Sequence, residues 1–193
     1  MASFIRGQLR PAVAALLVLT VLTGLAYPLA ITAVAGTVFP AQANGSLVAV
    51  NGHVVGSVLI GQSFMDDRYL WGRLSAAGDG YNADASSGSN LGPTDRALIA
   101  RVAADVDRFR AANGETPIPV DLITTSGSGL DPHISPAGAA YQVARIAAAR
   151  GLDVVAVQAI VARHTEGALL GFIGAPRVNV LLVNLDLDGL LKP

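Results

Sequence analysis

An uncharged apolar run near the N-terminus constrains this chain more than any other feature of its sequence. Residues 11–39 carry no charge, and no Asp, Glu, Lys or Arg occurs between Arg10 and Asp66. A membrane-spanning helix needs about 20 apolar residues, at a rise of about 1.5 Å each. We therefore predict a transmembrane helix over residues 11–36.

The main alternative for this run is a cleaved signal peptide. Arg6 and Arg10 would form its basic region, and Ala33-Val34-Ala35 or Ala41-Gln42-Ala43 would be the cleavage site. The apolar region of a signal peptide is only about 7–15 residues long. The length of the run therefore favours an uncleaved anchor.

The basic residues on either side of the run predict its orientation. Arg6 and Arg10 precede it, and no Lys or Arg follows it until Arg68. Because basic residues stay on the cytoplasmic side of a span, residues 1–10 are expected inside and residues 37–193 outside. We expect a single-pass protein of the inner membrane with its folded domain outside the cytoplasm.

Small and weakly polar residues occur within the predicted span. Thr20, Thr23 and Gly24 would allow a neighbouring helix to approach closely. Pro28 has no N–H to donate to the helix, so a bend is expected near Tyr27.

The remaining chain mixes strand and helix patterns without regular alternation. Asn51-Gly52 lies between two β-prone runs and predicts a hairpin of residues 47–50 and 53–60, because both turn residues need positive φ. Helices are predicted over 94–113, 136–150 and from Asp153 to about His164. Strands are predicted over 68–73, from Val120, and over 177–185. This order indicates an α+β fold for the domain.

Two loops could carry function. Residues 75–90 are rich in Ser, Gly, Asp and Asn and predict a long loop, either a mobile surface segment or a functional one.

The second loop has the composition of an anion-binding turn. Ser126, Gly127, Ser128 and Gly129 precede a helix and are typical of such turns. The only lysine is Lys192, so this segment is not a nucleotide-binding P-loop, which requires a lysine. A structural glycine turn is the alternative.

Asp131 and His133 could be combined with Ser126, Ser128 or Ser135 into a hydrolytic triad. Triads are defined by geometry rather than by nearness in sequence, so this pattern alone leaves an extracytoplasmic hydrolase or sensor domain as an alternative function. The three histidines have no metal-ligand spacing, and the chain has no cysteine. We expect no metal site and no catalytic residue.

Four stretches together carry a family resemblance. They are residues 56–64 (GSVLIGQSF), 86–94 (SSGSNLGPT), 119–136 (PVDLITTSGSGLDPHISP) and 177–181 (RVNVL). Together they resemble the C subunit of the bacterial Kdp potassium-transporting ATPase, over nearly the whole chain. One departure is Leu74, where the family pattern has proline.

The resemblance implies a non-catalytic accessory subunit of an ATP-driven potassium uptake complex. Its partners would be a channel-like A subunit, a P-type ATPase B subunit and a small F subunit. The C subunit of the family is described as a catalytic chaperone that promotes ATP binding by the B subunit. Gln142 matches a family glutamine that is likened to the glutamine of the ABC-transporter signature; the alternative is that Gln142 is a polar residue of its helix.

Under this resemblance, ATP and potassium would be ligands of the complex, and this chain would hold no tightly bound cofactor. The chain lacks the Asp-Lys-Thr-Gly-Thr phosphorylation motif of P-type pumps and the Thr-Val-Gly-Tyr-Gly filter of potassium channels. Its net charge of −1 does not indicate a nucleic-acid partner. The bilayer is its expected lipid environment.

Overall fold

The computed structural model describes residues 2–191, which fall into two compact units divided between Leu47 and Val48. The first unit is helical. It consists of α1 (Ala2–Val21), a π-helical turn (Leu22–Ala26), α2 (Tyr27–Val38) and the short α3 (Pro40–Ala43). The stretch Gly7–Val38 is long and apolar enough to cross a membrane, with a mean hydropathy of 2.1 over its most apolar part.

The π-helical turn lies directly before Pro28. The Tyr27 N–H donates to the Leu22 carbonyl, five residues back instead of the usual four. Widening the turn gives the proline ring room where it would otherwise contact the preceding turn. The predicted disturbance of the helix at this proline is thus a local change of helix type.

The second unit begins with the predicted hairpin. β1 (Leu47–Val50) and β2 (His53–Ser57) form a two-stranded sheet. Asn51 and Gly52 have φ of 51° and 81°, as the turn requires. β2 is shorter than predicted because the chain turns after Ser57, whose carbonyl accepts from the Ile60 N–H at 3.3 Å.

The three long helices of this unit confirm the helix predictions. They are α4 (Arg96–Asn113), α6 (Pro136–Arg150) and α7 (Val154–Arg163). Each begins after a side-chain cap, from Asp95, Ser135 and Asp153 respectively. Gly114 and Gly151 end α4 and α6. The first helix starts two residues later than predicted because its cap is Asp95.

A small antiparallel sheet completes the unit. It contains β3 (His133–Ile134), β4 (Thr165–Glu166) and β5 (Arg177–Asn179), with β5 in the centre. Ile134 and Thr165 both pair with Val178. One core joins this sheet to the helices; its fully buried apolar side chains include Leu70, Phe109, Leu122, Ile146, Val157, Val178 and Val183.

Two strand predictions are wrong because the chain turns into helix. The strand expected from Val120 is the one-turn helix α5 (Val120–Ile123), which follows Pro119. The strand expected over 177–185 ends at Asn179, whose side-chain oxygen accepts from the Leu182 N–H at 3.1 Å and starts α8 (Val180–Leu187). Six of the nine residues of this run are apolar, four of them in succession from Val180 to Val183, so its pattern fits a strand and a helix equally well.

The strand predicted over 68–73 is also absent. These residues enter the core at Leu70 and Trp71 and do not pair with another strand in the described part of the chain. Their backbone groups instead bond to side chains of α6 and α8, as described next.

Candidate functional site

A fully buried glutamine of α6 holds a neighbouring stretch of backbone. The side-chain oxygen of Gln142 accepts hydrogen bonds from the Trp71 N–H at 2.9 Å and from Arg145 at 2.8 Å. Its amide nitrogen donates to the carbonyls of Trp71 at 3.1 Å and Gly138 at 3.2 Å. Gln142 therefore pairs with Trp71 much as a neighbouring strand would, and both its polar atoms are engaged.

Arg145, one turn further along α6, reinforces this arrangement. Its guanidinium donates to the carbonyls of Asp67 and Tyr69 and to the Asn113 side chain, and it lies 4.1 Å from the centre of the Trp71 ring. Burial lowers the pKa of Arg145 to about 10, so it remains charged at neutral pH. A buried charge of this kind is tolerated because it is fully hydrogen-bonded.

Asn184 of α8 makes the equivalent contact one residue earlier. Its side-chain oxygen accepts from the Leu70 N–H at 2.7 Å, and its nitrogen donates to the Leu70 carbonyl at 3.0 Å. Arg150 adds a bond to the Arg68 carbonyl at 2.6 Å. We call residues 66–73 the clamped segment, because amide side chains from two helices hold its backbone.

The sequence prediction missed the clamped segment although a signal was present. Gln142 and Asn184 each interrupt the apolar face of a helix, and buried polar side chains of this kind need internal partners. The partners themselves lie about 70 and 114 residues away in the chain, and spacing alone cannot identify them.

The predicted anion-binding turn packs against another loop. Gly129 has φ of 69°, and a Cβ atom there would lie 2.6 Å from the Ser87 carbonyl oxygen. The Ser75 hydroxyl donates to the Gly129 carbonyl at 2.6 Å, and the Ser87 N–H donates to the Ser128 carbonyl at 3.0 Å. The glycine is thus required by close backbone contact with the loop over residues 75–90.

The other residues of this turn are also engaged internally. The Ser126 N–H donates to the Leu74 carbonyl at 3.3 Å, and the Gly129 N–H donates to the Ser126 carbonyl at 3.3 Å. The Gly127 carbonyl oxygen would lie 3.1 Å from a Cβ atom at Gly88. These contacts give the glycines and serines of the turn a packing role. No contact tests an anion-binding role, which stays a prediction.

Asp131 and His133 lie together beside Arg73. The Asp131 carboxylate accepts from Arg73 at 3.2 Å and from the His133 N–H at 3.0 Å, and the His133 ring nitrogen Nδ1 lies 3.6 Å from it. Partial burial would raise the pKa of Asp131, but the hydrogen bonds from His133 and Arg73 outweigh it and hold that pKa below its usual value. This pair lines a recess of about 260 Å³ that also includes Pro176 and Arg177.

The serines proposed as triad members bond elsewhere. The Ser135 hydroxyl donates to Asp121 at 3.0 Å and accepts from the Gly138 N–H at 2.9 Å, while the Ser128 hydroxyl accepts from the Leu130 N–H at 3.1 Å. Ser126 is almost completely buried. The structure therefore places Asp131 and His133 together without aligning these serines on the histidine. Within residues 2–191, no group of three or more His, Asp or Glu side chains could hold a metal ion.

The helix-packing candidates lie at the π-helical turn of the first unit. The Thr23 hydroxyl donates to the Leu19 carbonyl at 2.7 Å, which satisfies it within the helix. A Cβ atom at Gly24 would meet only the Thr20 methyl group, at 4.0 Å. Thr20, Thr23 and Gly24 thus present small groups over about one turn.

A feature that sequence reasoning missed is the turn between β4 and β5. Leu169 and Ile173 exchange two backbone hydrogen bonds of 2.9 Å each, and we call residues 169–173 the apolar tip. Four large side chains of the tip are exposed: Leu169 by 66%, Leu170 by 77%, Phe172 by 77% and Ile173 by 48%. The signal in the sequence was a run of Leu, Phe and Ile separated by glycines, between the predicted helix that ends near His164 and the predicted strand from Arg177.

These features define a class of protein. A long apolar N-terminal helix carries one α+β domain whose polar clusters are engaged in holding the fold, and whose most unusual exposed feature is apolar. This description fits a membrane-anchored subunit of a larger assembly.

Comparison with known proteins identifies the family. Residues 9–189 match the family described as "K+-transporting ATPase, c chain". The chain belongs to this family. The predicted resemblance to the C subunit of the potassium-transporting ATPase is therefore confirmed.

Individual relatives agree with the family match. Proteins named "Potassium-transporting ATPase KdpC subunit" include one from Sorangium cellulosum, 62% identical over 94% of this chain and 97% of its own length. Another, from Methylococcus capsulatus, is 56% identical over 94% of this chain and 97% of its own length. A third, from Bradyrhizobium diazoefficiens, is 53% identical over 94% of this chain and 96% of its own length. The α+β domain with one candidate membrane span is consistent with this family.

Proposed function

We propose that this chain is a non-catalytic accessory subunit of an ATP-driven potassium uptake complex. It stabilises the association of the channel-like A subunit, the P-type B subunit and the small F subunit. Through that association it acts as a catalytic chaperone that promotes ATP binding by the B subunit. The family match over residues 9–189 carries this proposal.

The N-terminal helix supports a membrane location for this role. Gly7–Val38 comprises 32 residues, about 48 Å of helix at 1.5 Å per residue. This length exceeds both the apolar part of a signal peptide and the bilayer core of about 30 Å. We propose an anchor in the inner membrane with the N-terminus in the cytoplasm and the domain outside, and helix contacts through Thr20, Thr23 and Gly24.

The contacts of Gln142 bear on how the chain would influence ATP binding. Its side-chain oxygen and nitrogen are both used inside the fold, at Trp71, Arg145 and Gly138. With the domain outside the cytoplasm, it would also face away from cellular ATP. We therefore propose that the chain affects ATP binding through its contacts with other subunits, and that Gln142 serves by holding the clamped segment.

Expression of the complex with and without this chain tests the proposal. A tag on the B subunit would report how much A subunit is recovered from detergent-solubilised membranes. We expect recovery of the A–B pair to fall strongly without the chain and to return when the full chain is co-expressed. Equal recovery in its absence would refute the accessory role.

A separate labelling experiment tests nucleotide contact. A photoreactive ATP analogue would be supplied to one side of sealed vesicles that contain the complex. Our proposal expects labelling of the B subunit from the cytoplasmic side and no specific labelling of this chain. If the analogue labelled this chain from the cytoplasmic side, and excess ATP prevented that labelling, both the indirect role and the proposed orientation would be contradicted.

A further inference from the structure

The apolar tip exposes a large apolar surface for a turn of only five residues. Its four side chains lie within five consecutive residues, whereas elsewhere in the domain the exposed large apolar residues occur singly or in smaller groups, such as Leu59 with Ile60. Scattered apolar residues are normal on a protein surface, but a contiguous group usually marks a binding site.

The tip is held in one conformation. The two backbone hydrogen bonds between Leu169 and Ile173 close it, and the Gly171 N–H donates to the Ala168 carbonyl at 3.0 Å. Leu170 has φ of 55°, a region that residues other than glycine, asparagine and aspartate rarely adopt. This backbone holds the Leu170 side chain outward. Such preorganisation lowers the ordering cost of binding.

Charge around the tip favours a protein partner over a lipid surface. No charged residue occurs from Gly167 to Pro176. The two flanking charges, Glu166 and Arg177, pair with each other at 2.6 Å. Loops that bind anionic membranes combine apolar side chains with unpaired Lys or Arg, and this turn has none between its flanks.

The surface next to the tip resembles the polar rim of a protein–protein interface. The recess lined by Asp131, His133, Pro176 and Arg177 follows the tip directly in the chain. Asp131, His133 and Arg177 bring charged and polar groups to this recess, and an apolar centre with polar groups at its margin is the usual anatomy of a protein–protein contact. A partner could bury the tip and place a polar side chain in the recess.

We propose that the apolar tip is the docking element that inserts into an uncharged apolar recess on the extracytoplasmic side of another subunit of the pump. Because the chain belongs to a family of ATPase subunits, partner subunits are the nearest source of such a surface. This inference rests on the proposed accessory function.

Cysteine labelling tests the docking surface. The natural chain contains no cysteine, so Phe172→Cys introduces a single thiol at the tip. Ile99→Cys is the control, because Ile99 is also exposed, by 58%, but lies on α4 with no other exposed large apolar residue near it in the chain. A membrane-impermeant maleimide would be applied to vesicles containing each full-length variant alone or in the assembled complex.

We expect the Phe172→Cys thiol to be labelled in the chain alone and protected about tenfold or more in the complex, since central interface positions are shielded from water. The control thiol should be labelled equally in both. Equal labelling of Phe172→Cys in both samples would overturn the proposal. Protection of the Phe172→Cys thiol in the chain alone would also overturn the proposal, and would indicate burial in lipid or self-association.

A recovery experiment separates this inference from the proposed function. Leu170→Asn with Phe172→Ser removes the apolar groups, while asparagine suits the positive φ. We expect about tenfold less of this variant to be recovered with a tagged B subunit, which corresponds to a loss of about 1.4 kcal/mol. Ile99→Ser should be recovered normally.

The outcomes remain distinguishable. Failure to recover the unmodified chain would refute the accessory function itself. Normal recovery of the double variant would refute only the role of the tip. Urea unfolding of each full chain in detergent would verify that the double variant is folded, as expected for substitutions at exposed positions.

Discussion

Replacing Gln142 by leucine should destabilise the domain without removing apolar volume. The substitution leaves the N–H and C=O groups of Trp71 buried without the partners seen in the structure. Each such group costs about 1–3 kcal/mol, and burial of the leucine side chain returns up to about 2 kcal/mol. We expect a net loss of about 2–4 kcal/mol in the free energy of unfolding.

The assay is urea unfolding of the full chain in detergent, followed by the fluorescence of Trp71, the only tryptophan. Gln158→Leu is the matched control, because Gln158 lies on the exposed face of α7 and should change stability by about 0.5 kcal/mol or less. A loss below about 1 kcal/mol for Gln142→Leu relative to this control would refute the clamp.

The same variant distinguishes a clamp from a nucleotide contact. If Gln142 acts by holding the clamped segment, Gln142→Leu should lower the amount of complex while leaving the KM for ATP unchanged in the complex that forms. A raised KM for ATP in a variant of native stability would favour the nucleotide contact implied by the family resemblance.

Three further substitutions test other parts of the fold by urea unfolding. Asn184→Leu should cost about 2–4 kcal/mol, since it leaves both backbone groups of Leu70 unpaired; a neutral result would show that the second clamp is dispensable. Gly129→Ala should destabilise more than Gly114→Ala, because both glycines have positive φ but only Gly129 would bring a Cβ into contact with backbone; equal effects would contradict the packing role of the turn. Partial burial would raise the pKa of Asp186, but hydrogen bonds from Arg163 and His164 outweigh it and hold that pKa below its usual value. The carboxylate therefore stabilises the fold above the usual pKa of an aspartate, about 4, and this contribution is lost as the pH falls through its folded pKa. The difference in unfolding free energy between the natural chain and Asp186→Asn should therefore shrink between pH 6 and pH 3, and a constant difference would refute this linkage.

The helices of the domain could be predicted because their signals are local. Asp95, Ser135 and Asp153 cap helices that end at Gly114 or Gly151 or near His164, as expected. Caps act within about four residues of their own position. The Asn-Gly hairpin was predictable for the same reason.

The errors arose where distant contacts decide the structure. The run over 177–185 has four consecutive apolar residues from Val180 to Val183, so burial rather than periodicity determines that it becomes β5 and α8. The segment over 68–73 forms no strand: the chain turns at Arg68 and Tyr69, and the side chains of Gln142 and Asn184 bind the backbone where a neighbouring strand would have paired. A side-chain partner far away in the chain leaves no periodic signal near the segment that it binds.

The candidate site residues show the same difference between local contacts, which could be predicted, and distant contacts, which could not. Asp131 and His133 lie two positions apart, and the structure brings them together beside Arg73. The packing of Gly129 against Ser87 depends on a contact between two loops and could not be inferred from either alone. The apolar tip was visible in the sequence, but only its exposure distinguishes it from a core segment.

The most direct test of the account is restoration of activity by the chain itself. Potassium-stimulated ATP hydrolysis would be measured in membranes that contain the A, B and F subunits but lack this chain, as purified full-length chain in detergent is titrated in. The account predicts a low rate that rises and saturates with added chain, and a smaller rise with the Leu170→Asn, Phe172→Ser variant. A rate that is already maximal without the chain, or that does not change as it is added, would contradict the proposed accessory function.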